Sequence, residues 1–201
     1  MSIRPVAPAA VLLVSAVLSP ACVQSQEVPP AEAQIAAAIE PLPEGMRDGA
    51  TVLGYRDGAG QLEVLREGDG EMICVADDPT EDGFHVACYH ESLEPFMARG
   101  RELEAEGVDR ATVERVRRDE AESGELSMPE GPAALYSLTG ESDDFDRSTG
   151  EVDGARPLYV LYVPWATPEE IGLPPEPREG EPWLMDPGEP WAHVMYVPEG
   201  P

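Results

Sequence analysis

Cys74 and Cys88 enclose a 15-residue stretch, counted inclusively, that carries Pro79 and Gly83. No other feature constrains the fold as tightly. Two extended segments joined by a Pro/Gly turn bring such a pair face to face. If the cysteines stand opposite each other in an antiparallel pair, partner numbers sum to 162. Ala76 then faces Val86, Asp78 faces Phe84, and Pro79–Gly83 forms a five-residue loop. Met72, Cys74, Ala76, Val86 and Cys88 fall on one face, a set suited to burial. A disulfide closing this loop stabilises by about 3 kcal/mol in the chain-entropy model. The competing readings are a helical start over 84–90 and two free buried thiols. Zinc is disfavoured, because C-x13-C has no second ligand pair at usable spacing.

The remaining cysteine, Cys22, lies in a different kind of sequence. Arg4 is the only charge before Glu27, and Val6 to Leu18 is apolar apart from Pro8 and Ser15. Small residues follow at Ser19, Ala21 and Ser25. Residues 1–25 therefore read as a secretory signal peptide. The apolar run is shorter than the roughly 20 residues of a spanning helix, and no later stretch is long and apolar enough to span. An uncleaved anchor is the alternative. Cleavage is expected after Ala21 or Ser25. Ser19-Pro20-Ala21 before Cys22 also admits a lipoprotein signal with lipid on Cys22, although Ser19 stands where a lipobox usually has leucine. The expectation is an exported protein, periplasmic, envelope-anchored or extracellular. There an oxidising milieu would join Cys74 to Cys88.

Charge excludes several chemistries. The chain has 40 acidic residues and 13 basic ones, all arginine, for a formal net charge of -27. Without lysine there is no P-loop of the G-x-x-x-x-G-K-[ST] kind and no kinase phosphate-pairing lysine. Pyridoxal-phosphate and Schiff-base enzymes are excluded for the same reason. Nucleic acid and anionic lipid are poor partners for so acidic a surface. The acids are dispersed through loops, which suits a solubility role.

The pattern along the chain predicts an α+β fold in a single domain, with a mainly antiparallel sheet and a central helical pair. Residues 26–48 read as a partly flexible lead-in, with a short alanine-rich helix over 31–39 stopped by Pro41 and Pro43. The domain proper is placed at 49–201. Residues 50–56 and 61–67 flank Asp57-Gly58-Ala59-Gly60, a hairpin signal. Residues 91–106 and 110–122 are helical in periodicity, with Asp109 as a cap and Gly107 and Gly124 as stops. Residues 133–138, 157–163 and 192–197 read as strands. Residues 139–156 and 164–191 read as loops.

Three candidate chemistries follow. His85, His90 and His193 are the only histidines. His85 and His90 are five apart, a spacing that neither strand nor helix converges on one metal. His193-Val194-Met195 places an imidazole and a thioether on one strand face, a pairing that suits copper(I). The 143–153 loop concentrates Asp144, Asp146 and Asp153 as oxygen ligands for calcium, but without the EF-hand spacing. No serine sits in G-x-S-x-G, and carboxylate-pair hydrolysis has no locatable pair among 40 acids. Trp165, Trp183 and Trp191 cluster near the C-terminal end, where burial against the sheet competes with ligand binding. Six arginines between 99 and 118 are explained by helix pairing, with Arg110–Glu114 and Glu114–Arg118 each at i,i+4, and the alternative is a site for an acidic partner.

Val64-Leu65-Arg66-Glu67-Gly68, the Cys74/Cys88 pair and Pro190-Trp191-Ala192-His193-Val194-Met195 together resemble a set of uncharacterised exported bacterial proteins. That set carries no assigned activity, so the resemblance supplies no catalytic residues. The reading is an exported, non-catalytic binding or accessory protein with no cofactor expected. The alternatives are a metal-dependent or carboxylate-based hydrolase and a calcium-stabilised binding module.

Overall fold

The computed structural model describes residues 27–56, 61–178 and 180–198. Residues 1–26, which include Cys22 and where a signal peptide is expected, and residues 57–60, where a hairpin turn is expected, lie outside the described residues. Helix α1 (Ala31–Ala38) and a single turn, α2 (Glu44–Arg47), lead into the strands. Strands β1 (Thr51–Gly54), β2 (Glu63–Arg66), β3 (Met72–Val75) and β4 (Phe84–His90) follow. Helices α3 (Glu94–Ala105) and α4 (Arg110–Ser123) come next. Strands β5 (Ala133–Gly140) and β6 (Arg156–Tyr162), the short α5 (Pro168–Ile171), and strands β7 (Trp183–Met185) and β8 (His193–Tyr196) complete the chain. The eight strands form one sheet in the order β2-β1-β3-β4-β5-β6-β8-β7. Only β1 and β3 run parallel; every other neighbouring pair is antiparallel. The α+β architecture matches the sequence expectation.

The cysteine hairpin has the expected register. Met72 pairs with His90, Cys74 with Cys88 and Val75 with Ala87, and Cys74 and Cys88 are joined. The ladder stops there, earlier than expected. Asp77 turns its carboxylate onto the strand, and Oδ1 accepts the His85 backbone N–H at 2.9 Å. A side chain has replaced the next ladder bond, so the connection is longer than five residues. Met72, Cys74, Ala76, Val86 and Cys88 are all buried, and 84–90 is strand rather than helix.

Two layers of helix cover different parts of the sheet. On one face, Ala38, Leu42 and Ala50 pack against Val52, Cys74 and Cys88. The segment expected as a partly flexible lead-in is therefore built into the domain. Alanine is why this was hard to read: Ala33, Ala37 and Ala38 let α1 approach the strands closely without a large apolar signal. Gln34 fixes that approach. Its buried amide donates to the carbonyls of Pro29 and Tyr55, each at 2.7 Å, and Oε1 accepts the Tyr55 N–H at 2.8 Å. Gly150 adds a second constraint, because a Cβ there would lie 2.5 Å from the Ala33 carbonyl oxygen.

On the opposite face, Leu93 packs with Tyr89 and Ala133, and Phe96 with Leu126 and Trp191. α4 begins and ends as its sequence requires. The Asp109 carboxylate accepts the Thr112 N–H at 3.1 Å, and Gly124 takes the left-handed conformation at φ 80°. Arg99 joins the helices through Glu120 at 2.7 Å. Arg110 meets Glu114 at 3.1 Å as expected, but Arg118 reaches Glu189 at 2.6 Å instead of Glu114.

Candidate functional site

One row of side chains crosses most of the sheet. Val52 pairs with Cys74, Cys74 with Cys88, Cys88 with Tyr136, Tyr136 with Tyr159, and Tyr159 with Tyr196. Directly paired residues project to the same face. The disulfide and three tyrosines therefore form one continuous line on the α1 side. Ring centroids are 5.7 Å apart between Tyr136 and Tyr159, and 6.3 Å between Tyr159 and Tyr196.

The two halves of that line have different surroundings. α1 and the segment after it bury the disulfide half. The tyrosine half is open to solvent: Tyr159 is 42% exposed, Tyr196 37% and their neighbour Leu161 40%. Tyr136 stands at the boundary between two shallow pockets. One is lined by Met46, Glu71, Met72, His90 and Ala134, the other by Pro43, Arg47, Pro157 and Tyr159. Arg47 is occupied there: it binds Glu40 at 2.7 Å and donates to the Leu42 carbonyl at 2.9 Å. Glu71 is mostly exposed, with the His90 imidazole 3.9 Å away. The open patch is aromatic and apolar with acid at its margin.

The structure spreads the three histidines apart. His85 and His90 lie at opposite ends of β4 and on opposite faces. His90 is a cap: Nδ1 accepts the Ser92 N–H at 3.2 Å and lies 2.8 Å from the Ser92 hydroxyl. His85 Nδ1 meets the Thr139 hydroxyl at 3.0 Å. His193 is on β8, two strands beyond β5, where its Nδ1 donates to the Trp191 carbonyl at 2.8 Å.

The 143–153 acids are likewise used within their own loop. Asp144 Oδ2 accepts the Glu141 N–H at 2.8 Å. Asp146 Oδ1 accepts the Ser148 N–H and hydroxyl and the Thr149 N–H, which hold its carboxyl below the usual range. Asp153 is tied by its backbone N–H to the Asp144 carbonyl at 2.9 Å. Phe145 and Val152 bridge across the loop, so its polar side chains serve a turn. Among the described residues, no three histidine, cysteine or carboxylate side chains gather as a metal site.

The tryptophans divide. Trp191 is buried on Phe96, with centroids 5.9 Å apart, and Arg118 lies over its ring at 5.1 Å. Trp183 is buried in β7, a strand unmarked in the sequence, and Trp165 is 42% exposed at φ 67°. On the helical side, Arg101 joins Tyr89 and Glu94, at 2.9 and 2.7 Å, in a partly exposed polar cluster. Burial pushes the nearby Tyr162 hydroxyl up to about 12.

The tyrosine line was hidden in the sequence. Tyr136, Tyr159 and Tyr196 are far apart in the chain, and only pairing across β5, β6 and β8 aligns them. No known protein family, curated protein or solved structure matches the chain. Among the described residues, no helix is long and apolar enough to cross a membrane.

Proposed function

We propose that this is an exported, non-catalytic binding protein. Its ligand face is the open side of β5, β6 and β8, and its partner there is a cationic, amphipathic polypeptide. The observation that carries the reading is the contiguous exposure of Tyr159, Leu161 and Tyr196 beside Tyr136. Exposed apolar patches of this kind mark interaction sites. Tyrosine supplies contact area at low entropic cost and keeps a polar tip in water. The net charge of -27 selects the partner's sign, because it attracts cations and repels nucleic acid, acidic proteins and anionic lipid. Aromatic faces add cation–π attraction to that long-range pull.

The hydrolase alternative draws no support from the histidines, which stand on separate ends, faces and strands. The calcium alternative draws none from the 143–153 loop, whose Asp144 and Asp146 oxygens accept hydrogen bonds from their own backbone.

The test uses two synthetic peptides of equal charge, one amphipathic with leucine and lysine, the other with leucine replaced by glycine. Fluorescence anisotropy measures each against wild type and Tyr159→Ala/Tyr196→Ala. The amphipathic peptide is expected to bind about tenfold more tightly, and the double variant to lose that preference while keeping the salt-sensitive remainder. Equal affinities for both peptides, or a preference that survives the double substitution, would refute the reading.

A further inference from the structure

The C-terminal hairpin brings together side chains that the sequence only half reveals. β7 pairs with β8 so that Trp183 faces Met195 and Met185 faces His193. All four project to one face, opposite Leu184, which is fully buried under Val163, Ala166 and Leu173. Cβ atoms of directly opposed residues lie about 4.5–5.5 Å apart, and the Met185–Met195 diagonal spans about 7–8 Å, within reach of long side chains. The hairpin thus gathers one imidazole and two thioethers at the edge of the sheet. Met185 is 43% exposed, which leaves an approach from solvent.

The histidine is held ready to ligate. A carbonyl can only accept, so the 2.8 Å bond to Trp191 oxygen places the proton on Nδ1. The Nε2 lone pair is then free in the neutral ring. Ligating histidines are oriented by this kind of backbone bond. The Tyr162 ring, 5.1 Å away between centroids, packs along one side of the imidazole. His90 is the contrast. It also has a methionine opposite, Met72, but its Nδ1 accepts from Ser92, which puts the neutral ring's proton on Nε2.

We propose that His193 Nε2, Met185 Sδ and Met195 Sδ form a binding site for a soft monovalent cation of the copper(I) class. Thioether donors select soft ions, while calcium, magnesium and manganese want oxygen. The flexible methionine side chains can adjust to a three-coordinate ion. Ligation uses neutral donors, so the ion's charge is not cancelled by the site. The strongly anionic chain around it favours a cation electrostatically. The Met185, His193 and Met195 side chains project to the helical side of the sheet and the tyrosine patch to the other, so this site is independent of the peptide-binding reading.

The experiment uses silver(I) as the redox-inert probe, added as nitrate to exported protein carrying Cys22→Ser. With Cys74 and Cys88 joined, that background has no free thiol. Methionine methyl and histidine ring NMR signals report the ligands, and competition with a chromophoric chelator gives affinity. One silver ion is expected, shifting Met185, Met195 and His193 and leaving Met46, Met72 and His90 unmoved. Met185→Leu and Met195→Leu keep the volume, and each should weaken binding by about tenfold or more. His193→Gln should do the same, and thermal unfolding of all three confirms that they fold. Unchanged affinity in Met185→Leu/Met195→Leu, shifts confined to other methionines, or no binding to wild type would each overturn the site.

Discussion

Removing the disulfide is the perturbation whose size the structure states most directly. In Cys74→Ala/Cys88→Ala, a closed loop with a sequence separation of 14 is opened in the unfolded chain. The entropic loss for such a loop is about 3 kcal/mol. Both sulfurs are fully buried in the middle of the cross-sheet row, so solvent cannot relieve the space they leave. That adds to the loss. The native fold itself should survive, because β4 remains paired with β5 from Phe84 to Tyr89. For a chain of this size each kcal/mol moves Tm by about 2–4 °C, so the loop term alone predicts a fall of about 6–12 °C and the cavity deepens it. Thermal and urea unfolding of wild type and variant measure it, and wild type unfolded in reductant should approach the variant. A loss below about 1 kcal/mol, or wild type insensitive to reductant through complete unfolding, would show that the Cys74–Cys88 bond does not constrain the unfolded chain.

Other consequences follow from single side chains. Leu184→Ala empties a fully buried position under the 163–173 loop and should cost about 2–5 kcal/mol in urea unfolding. Gly150→Ala places a methyl against α1 at φ 84° and should cost about 1–3 kcal/mol, whereas an unpacked lead-in would leave stability unchanged. Asp109 has its carboxyl held below the ordinary value of 3.8 by hydrogen bonds from Thr112. A lowered folded-state pKa stabilises above the unfolded value and is lost as pH falls through the folded one. The Tm of wild type should therefore fall relative to Asp109→Asn below about pH 4, and a constant difference from pH 7 to pH 2 would contradict the cap.

What could be read from the sequence was local. The Cys74–Cys88 register needs only a turn and two short strands. The limits of α4 need only Asp109 and Gly124, each acting within one turn of helix. What could not be read depends on distant partners. The parallel placement of β3 beside β1 carries β2 to the sheet edge, and no turn signal encodes it. β7 is three residues between a proline and Asp186, and its strand character comes from pairing with β8. Alanine in α1 gave no amphipathic signal because close approach, rather than bulk, is its contribution. The His193/Met195 pair was visible by alternation, whereas Met185 joined it only through the β7–β8 register.

Backbone amide NMR during titration with the amphipathic cationic peptide locates the proposed ligand on one face of the sheet or the other. If ligand meets the open tyrosine face, shifts concentrate at Tyr136, Tyr159, Leu161, Val194 and Tyr196, with α3 and α4 unmoved. Shifts centred on the α3–α4 face, or scattered evenly over the acidic loops, would contradict it.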